Sequence, residues 1–109
     1  MSHDDDDAVV VYVTCPADNA VELAKALVEA GVVACANIVP SVRSIYRWQG
    51  KLCDEEEALL IVKTRAARFE ALRQRVVELH PYEVPEVIAL PIVAGHGPYL
   101  AWLRASTEG

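Results

Sequence analysis

The 109-residue chain has no apolar run near the roughly 18 residues that a membrane helix needs, so no spanning segment and no membrane contact are expected. Its start, Met1-Ser2-His3-Asp4, is acidic where a secretory leader requires a basic stretch and then an apolar one. Cysteine is scarce. Cys15, Cys35 and Cys53 are odd in number, lie 20 and 18 residues apart and include no C-x-x-C pair, which speaks against a disulfide scaffold or a zinc ribbon. These absences point to a soluble protein of a reducing compartment, the cytoplasm. No Gly-rich phosphate loop follows a strand, there is no G-x-S-x-G, and no Ser, His and acid can be assembled into a triad. No enzymatic activity is expected on that basis.

Five Gly and six Pro in a chain that is 53% hydrophobic leave too much apolar material for disorder, and the length suits one domain. The net charge of −6 argues against a nucleic-acid partner, because such a surface repels phosphate. Four of the acids form one run, Asp4 to Asp7; without it, ten basic residues face twelve acidic ones and the body carries only −2. Residues 1–7 therefore read as a solvated, disordered acidic tail, and residues 8–109 as the folded domain.

Val9 to Val13 is a β-branched run of the kind buried on both faces of a sheet, and Pro16 stops it. Asp18 or Asn19 is placed to cap a helix in which Leu23, Ala24, Leu27 and Val28 form one stripe, and Gly31 closes it. Val32 to Val39 is a second apolar run broken by Pro40. Val42 to Trp48 then alternates, reverses at Gln49-Gly50 and returns through Leu52 to Lys63, which sets Arg43 opposite Glu56 if the turn has two residues. Glu55 to Glu57 read as a solvated strand edge that discourages aggregation.

Ala66 to Leu79 repeats the helical period, with Phe69, Leu72, Val76 and Leu79 on one face, and Pro81 ends it at His80. Pro85 and Pro91 confine the strand Val84 to Ala94 to a sheet edge, and a last helix starts at Pro98. The order is βαββαβ plus a terminal helix, the α+β split βαβ or ferredoxin-like arrangement with a long β2-β3 hairpin. An arm carrying Tyr46, Trp48 and Leu52 beyond the reach of two helices needs a partner, and assembly with copies of itself is the economical explanation.

The densest polar group is His80-Pro81-Tyr82-Glu83-Val84-Pro85-Glu86, at a helix-to-strand junction where loops hold functional side chains on a rigid frame. An imidazole with carboxylates nearby can serve a metal or a proton transfer; equally, the prolines can shape a turn in which His80 and Glu86 tie the helix end. Cys35, between Ala34 and Ala36, reads as a small buried apolar residue, since neither neighbour lowers a thiol pKa. Cys15 lies at a strand end where ferredoxin-like metal carriers place thiols, yet it is one thiol rather than two.

Ala34-Cys35-Ala36-Asn37-Ile38, Ser44-Ile45-Tyr46-Arg47-Trp48-Gln49-Gly50-Lys51, Lys63-Thr64, the His80 to Glu86 segment and Tyr99-Leu100-Ala101-Trp102 together resemble the CutA family of divalent-cation tolerance proteins. The resemblance implies a cytoplasmic homotrimer of ferredoxin-like subunits with a role in tolerance of copper and other divalent cations. It marks Cys35, Tyr46, Trp48, Lys63, Tyr82, Glu83, Glu86, Tyr99 and Trp102 as family positions. The copper ligands it implies are a first-strand cysteine and two consecutive histidines; here those positions hold Val13 and Leu79, leaving His80. Two readings follow. One is a trimer that binds copper or another divalent cation through His80. The other is a structural or signalling trimer that takes a protein or a small ligand in clefts between subunits, with metal effects indirect. An enzyme using Cys35 or Cys15 as nucleophile and His80 as base is a third arrangement.

Overall fold

The structure is a computed structural model that describes residues 4–108. Among these residues, four strands and three helices follow in the order β1 (Ala8–Cys15), α1 (Ala20–Glu29), β2 (Cys35–Trp48), β3 (Lys51–Arg65), α2 (Phe69–Leu79), β4 (Ile88–Pro91) and α3 (Gly97–Ser106). The sheet order is β2-β3-β1-β4 and every neighbouring pair is antiparallel, the topology expected of a split βαβ unit.

Alternation along the strands sorts the two faces. Val9, Val11 and Val13 of β1 and Ala58, Leu60 and Val62 of β3 point to one side, where Leu23 and Leu27 of α1 and Leu72 and Val76 of α2 close the core. Thr64 is fully buried among them because its hydroxyl donates to the Val32 carbonyl at 2.8 Å. The opposite face is covered only in part. Helix α3 lies on it, and Tyr99 meets Cys35 there, hydroxyl to Sγ, at 3.6 Å. Cys35 is thus half-buried against a phenol, not sunk in the core, because its place in the alternation is opposite to that of Val62.

Pro40 does not end a strand. β2 runs through it with a bulge between Val39 and Val42, which absorbs the missing amide and bends the arm. Gln49 and Gly50 both have positive φ, 49° and 78°, as a two-residue I′ turn requires. Arg43 does oppose Glu56 in register, but its guanidinium reaches diagonally to Asp54, with contacts of 2.8 and 2.7 Å. The prolines leave a final strand of four residues at the edge, shorter than the run Val84 to Ala94.

Helix α1 differs from expectation at two points. Neither Asp18 nor Asn19 makes a side-chain cap; Pro16 opens a 3₁₀ turn, Ala17–Asn19, whose Asn19 amide donates to the Pro16 carbonyl at 3.0 Å. Val28 lies outside the buried stripe and is exposed.

The acidic run also departs from a disordered tail over the residues described. Asp4 to Asp7 form a turn closed by Asp7 N–H donating to the Asp4 carbonyl at 3.0 Å, while residues 1–3 of the expected tail lie outside the described part. The carbonyls of Asp7 and Asp5 accept from the amides of Ala66 and Ala67, donors left without an intrahelical partner where the helix begins. Arg65 joins the chain ends: its guanidinium contacts Asp6 at 3.0 Å, the Thr107 hydroxyl at 3.0 Å and the Thr107 carbonyl at 2.5 Å. Like-charged aspartates are tolerated there because their main chain and the carboxylates of Asp4, Asp6 and Asp7 meet donors.

Candidate functional site: an acidic and aromatic cleft beside the hairpin

Beyond the part of the open sheet face that α3 covers, the hairpin and the loop from α2 to β4 enclose a cleft of about 550 Å³. One wall is the hairpin face carrying Ser44, Tyr46 and Trp48 from β2 and Glu55 and Glu57 from β3; Ile45 also borders the space. The other wall is Tyr82, Glu83, Val84 and Glu86, and Thr14 closes the end of β1. No lysine or arginine is among these lining residues.

His80 sets the second wall. As the residue after α2 it is extended (φ −83°, ψ 136°), the conformation that a following proline favours, and it is only 7% exposed. Its Nε2 lies 2.7 Å from the Thr14 carbonyl, which can only accept, so Nε2 carries the proton. Its Nδ1 then accepts from the Tyr82 amide at 3.1 Å. Both ring nitrogens are used, the ring is the neutral Nε2–H tautomer, and the loop is pinned to β1. Tyr82 stacks at an angle on the imidazole, centroids 4.7 Å apart, and its hydroxyl donates to Glu57 Oε2 at 3.1 Å. A continuous chain of contacts therefore runs from Thr14 through His80 and Tyr82 to Glu57.

Glu57 is 4% exposed and was not distinguishable in sequence from its neighbours in the acidic run; its place on the cleft face and the Tyr82 hydroxyl 25 residues away bury it. Its charge is felt by the groups around it. Burial, then the charge and hydrogen bond of Glu57, push the Tyr82 phenol up to about 12. Desolvation and a hydrogen bond to Glu55 push Tyr46 up to about 12 as well. Burial and Glu57 raise Glu86, and burial, Glu57 and Asp18 raise the Cys15 thiol, which holds it in the unreactive protonated form. Each shift reflects partial desolvation in a region of negative potential.

The family positions divide into two groups. Tyr46, Trp48, Tyr82, Glu83 and Glu86 meet at the cleft. Cys35, Lys63, Tyr99 and Trp102 belong to the α3 end, where Cys35 opposes Lys63 in register, Lys63 bonds Asn37, and Tyr99 stacks against Trp102 at 5.6 Å. The copper ligand set does not fit. Val13 is fully buried in the apolar core, Leu79 offers no donor atom, and the nitrogens of His80 are both in hydrogen bonds. Among the described residues, no three His, Cys, Asp or Glu side chains converge to hold a metal ion.

A four-stranded antiparallel sheet with helices on the split βαβ plan, a long projecting hairpin and the loop pinned by His80 define the class of this protein, an α+β ferredoxin-like fold. The family model "CutA1 divalent ion tolerance protein" matches residues 9–106, so the chain belongs to the CutA1 divalent ion tolerance family. The divalent-cation tolerance protein CutA of Thermus thermophilus is 52% identical over 99 residues, covering 90% of this chain and 96% of that relative. The solved structure of the Cut A1 divalent cation tolerance protein from Thermus thermophilus superposes with a TM-score of 0.89 at 51% identity, covering 93% of this chain and 99% of the other. The PII-like protein CutA of Nostoc sp. PCC 7120, in apo form, superposes with a TM-score of 0.86 at 34% identity over 92% of this chain and 97% of that one. Human Protein CutA is 47% identical over 89% of this chain, which spans 55% of the human protein's length.

Proposed function

We propose that this chain serves divalent-cation tolerance as a cytoplasmic homotrimer, and that its cation site is the acidic cleft beside the hairpin, with copper among the cations it meets. The carrying observation is the composition of that cleft: Glu55, Glu57, Glu83 and Glu86 line it with no basic side chain to neutralise them. Carboxylates concentrated in a partly desolvated space raise the local concentration of cations. The trimer accounts for the exposed Ile45, Trp48 and Leu52 of the arm and for the free edges of β2 and β4, all of which a second copy covers at little cost. No helix among the described residues is long and apolar enough to cross a membrane, which is compatible with the cytoplasm.

Copper held by His80 is the competing reading, and it requires Nδ1 to give up the Tyr82 amide. Sedimentation of the purified protein tests the assembly; a monomer refutes it. Titration with Cu(II) and Mn(II) against a competing chelator, using wild type, Glu57→Gln and His80→Gln, tests the site. Affinity lost in Glu57→Gln and retained in His80→Gln supports the cleft; the reverse pattern returns the site to His80. Titration of a chain lacking residues 1–7 separates both from cation binding at the amino terminus.

A further inference from the structure

We infer that the acidic turn Asp4 to Asp7 is a strap for α3, and that strap and helix form one unit which opens apart from the rest of the fold. The cleft and the arm take no part in it. Arg65, which anchors the strap, ends the interior strand β3 and faces Ala8, at the end of the sheet opposite the Trp48 and Lys51 pair of the hairpin.

Helix α3 has little apolar hold on the sheet. It packs on β3 and β1, but of its ten residues only Leu103 is buried, and Leu103 is not part of the core beneath α1 and α2. Tyr99 and Trp102 remain 41% and 47% exposed. Polar contacts close the far end instead. Just past the helix, Thr107 is fully buried; its carbonyl accepts from Arg65 at 2.5 Å and from Arg68 at 2.7 Å, and its hydroxyl accepts from Arg65 at 3.0 Å. Arg104, from α3 itself, donates to the Asp6 carbonyl at 3.1 Å, while Arg65 reaches the Asp6 carboxylate. Asp6 is thus shared between β3 and α3. Its neighbours Asp5 and Asp7 fix it to the 3₁₀ turn before α2, through the amides of Ala67 at 2.9 Å and Ala66 at 2.8 Å.

The strap has no apolar side chain, so hydrogen bonds alone hold it, each of modest net worth where water competes. A unit with one buried apolar residue and solvent-facing hydrogen bonds belongs at the low end of the opening free energies within a fold, whereas β1 and α1 should open only with the core. A hinge is in place. Residues 92–96 run without regular structure into α3, and Gly95 lets Leu100 seat closely on that segment, since an added Cβ would stand 3.1 Å from the Leu100 side chain. Opening carries Tyr99 off Cys35 and uncovers that end of the open sheet face, so the amino-terminal segment controls access to it.

Amide hydrogen exchange of the assembled, full-length protein tests this, with wild type, Ala66→Pro and Arg104→Met. Ala66→Pro deletes the donor to Asp7 and leaves the helix start intact: position 66 opens the 3₁₀ turn, where proline is favoured, and Arg65 before it is already extended (φ −95°, ψ 153°). Arg104→Met removes the contact to Asp6 and keeps an apolar stem. In wild type the amides of α3 should exchange faster than those of β1 and α1. Each variant should accelerate α3 by a further twofold to tenfold or so, the loss of one hydrogen bond, with β1 and α1 unchanged. Wild-type α3 exchanging as slowly as β1 refutes a separate unit. Unchanged α3 rates in either variant reduce the helix to a fraying end and refute the strap. Acceleration of β1 and α1 together with α3 makes the contacts part of the global fold and overturns the inference as well.

Discussion

Replacing His80 by Ala should cost the fold about 2–4 kcal/mol with no metal present. The side chain is 7% exposed and supports two contacts, Nε2 to the Thr14 carbonyl at 2.7 Å and the Tyr82 amide to Nδ1 at 3.1 Å. Removing it leaves one carbonyl and one amide without their partners, and each such group costs about 1–3 kcal/mol when shielded from water. The space vacated by the ring adds a cavity penalty, while water entering from the cleft recovers part of the loss. The assay is urea unfolding with a chelator present and protein concentration held fixed, since assembly couples stability to concentration. The midpoint should fall with the slope unchanged, and the Tyr82 amide should exchange faster. His80→Gln, which can replace one of the two bonds, should fall between wild type and Ala. A loss below about 0.5 kcal/mol in the chelated protein refutes the latch and implies that His80 is held for some other purpose.

Three further outcomes follow from the same geometry. Arg65→Ala should lower stability by about 1–3 kcal/mol in urea, because the 13% exposed side chain contacts both Asp6 and Thr107; Asp6→Asn, whose side chain is 73% exposed, should cost under about 1 kcal/mol and less still in high salt. Tyr82 titrates at about 12 in the fold, above the unfolded value near ~10, so the neutral form stabilises the protein below pH ~10 and that contribution is lost as pH rises from there through about 12. Phenolate absorbance should show one fewer late-titrating tyrosine in Tyr82→Phe, and an unchanged curve contradicts the assignment. Gln49 has φ 49° in the hairpin turn, so Gln49→Asn, which tolerates that conformation better, should raise stability by up to about 1 kcal/mol in urea unfolding; a loss argues against the I′ turn.

Much of the architecture was legible because it is written at short range. The Gln49-Gly50 turn sets the hairpin register that brings Arg43 opposite Glu56, Pro81 stops α2 at His80, and Gly31 takes a left-handed φ of 74° where α1 ends. The cleft was half legible. The His80 to Glu86 segment and the aromatic residues of the arm stand out as groups, but their meeting across one space does not. Glu57 was indistinct among three adjacent glutamates, and Asp4 to Asp7 read as solvent-facing because a charge run shows no sign of the donors it will find at Arg65, Ala66 and Ala67.

Taken alone, the sequence determined the element order, the hairpin and the family, since all of these follow from periodicity, turn residues and short motifs. Tertiary structure decided the chemistry of the site. The bond that occupies Nε2 of His80 joins residues 66 apart, and the one that fixes Glu57 joins residues 25 apart. Hydrogen-bond partners at such separations depend on sheet register and on the path of a loop, and a one-residue slip in either would turn Glu57 to the other face. Whether an imidazole is free to bind a metal, and whether a glutamate is solvated or buried, is therefore settled only when the strands are in place.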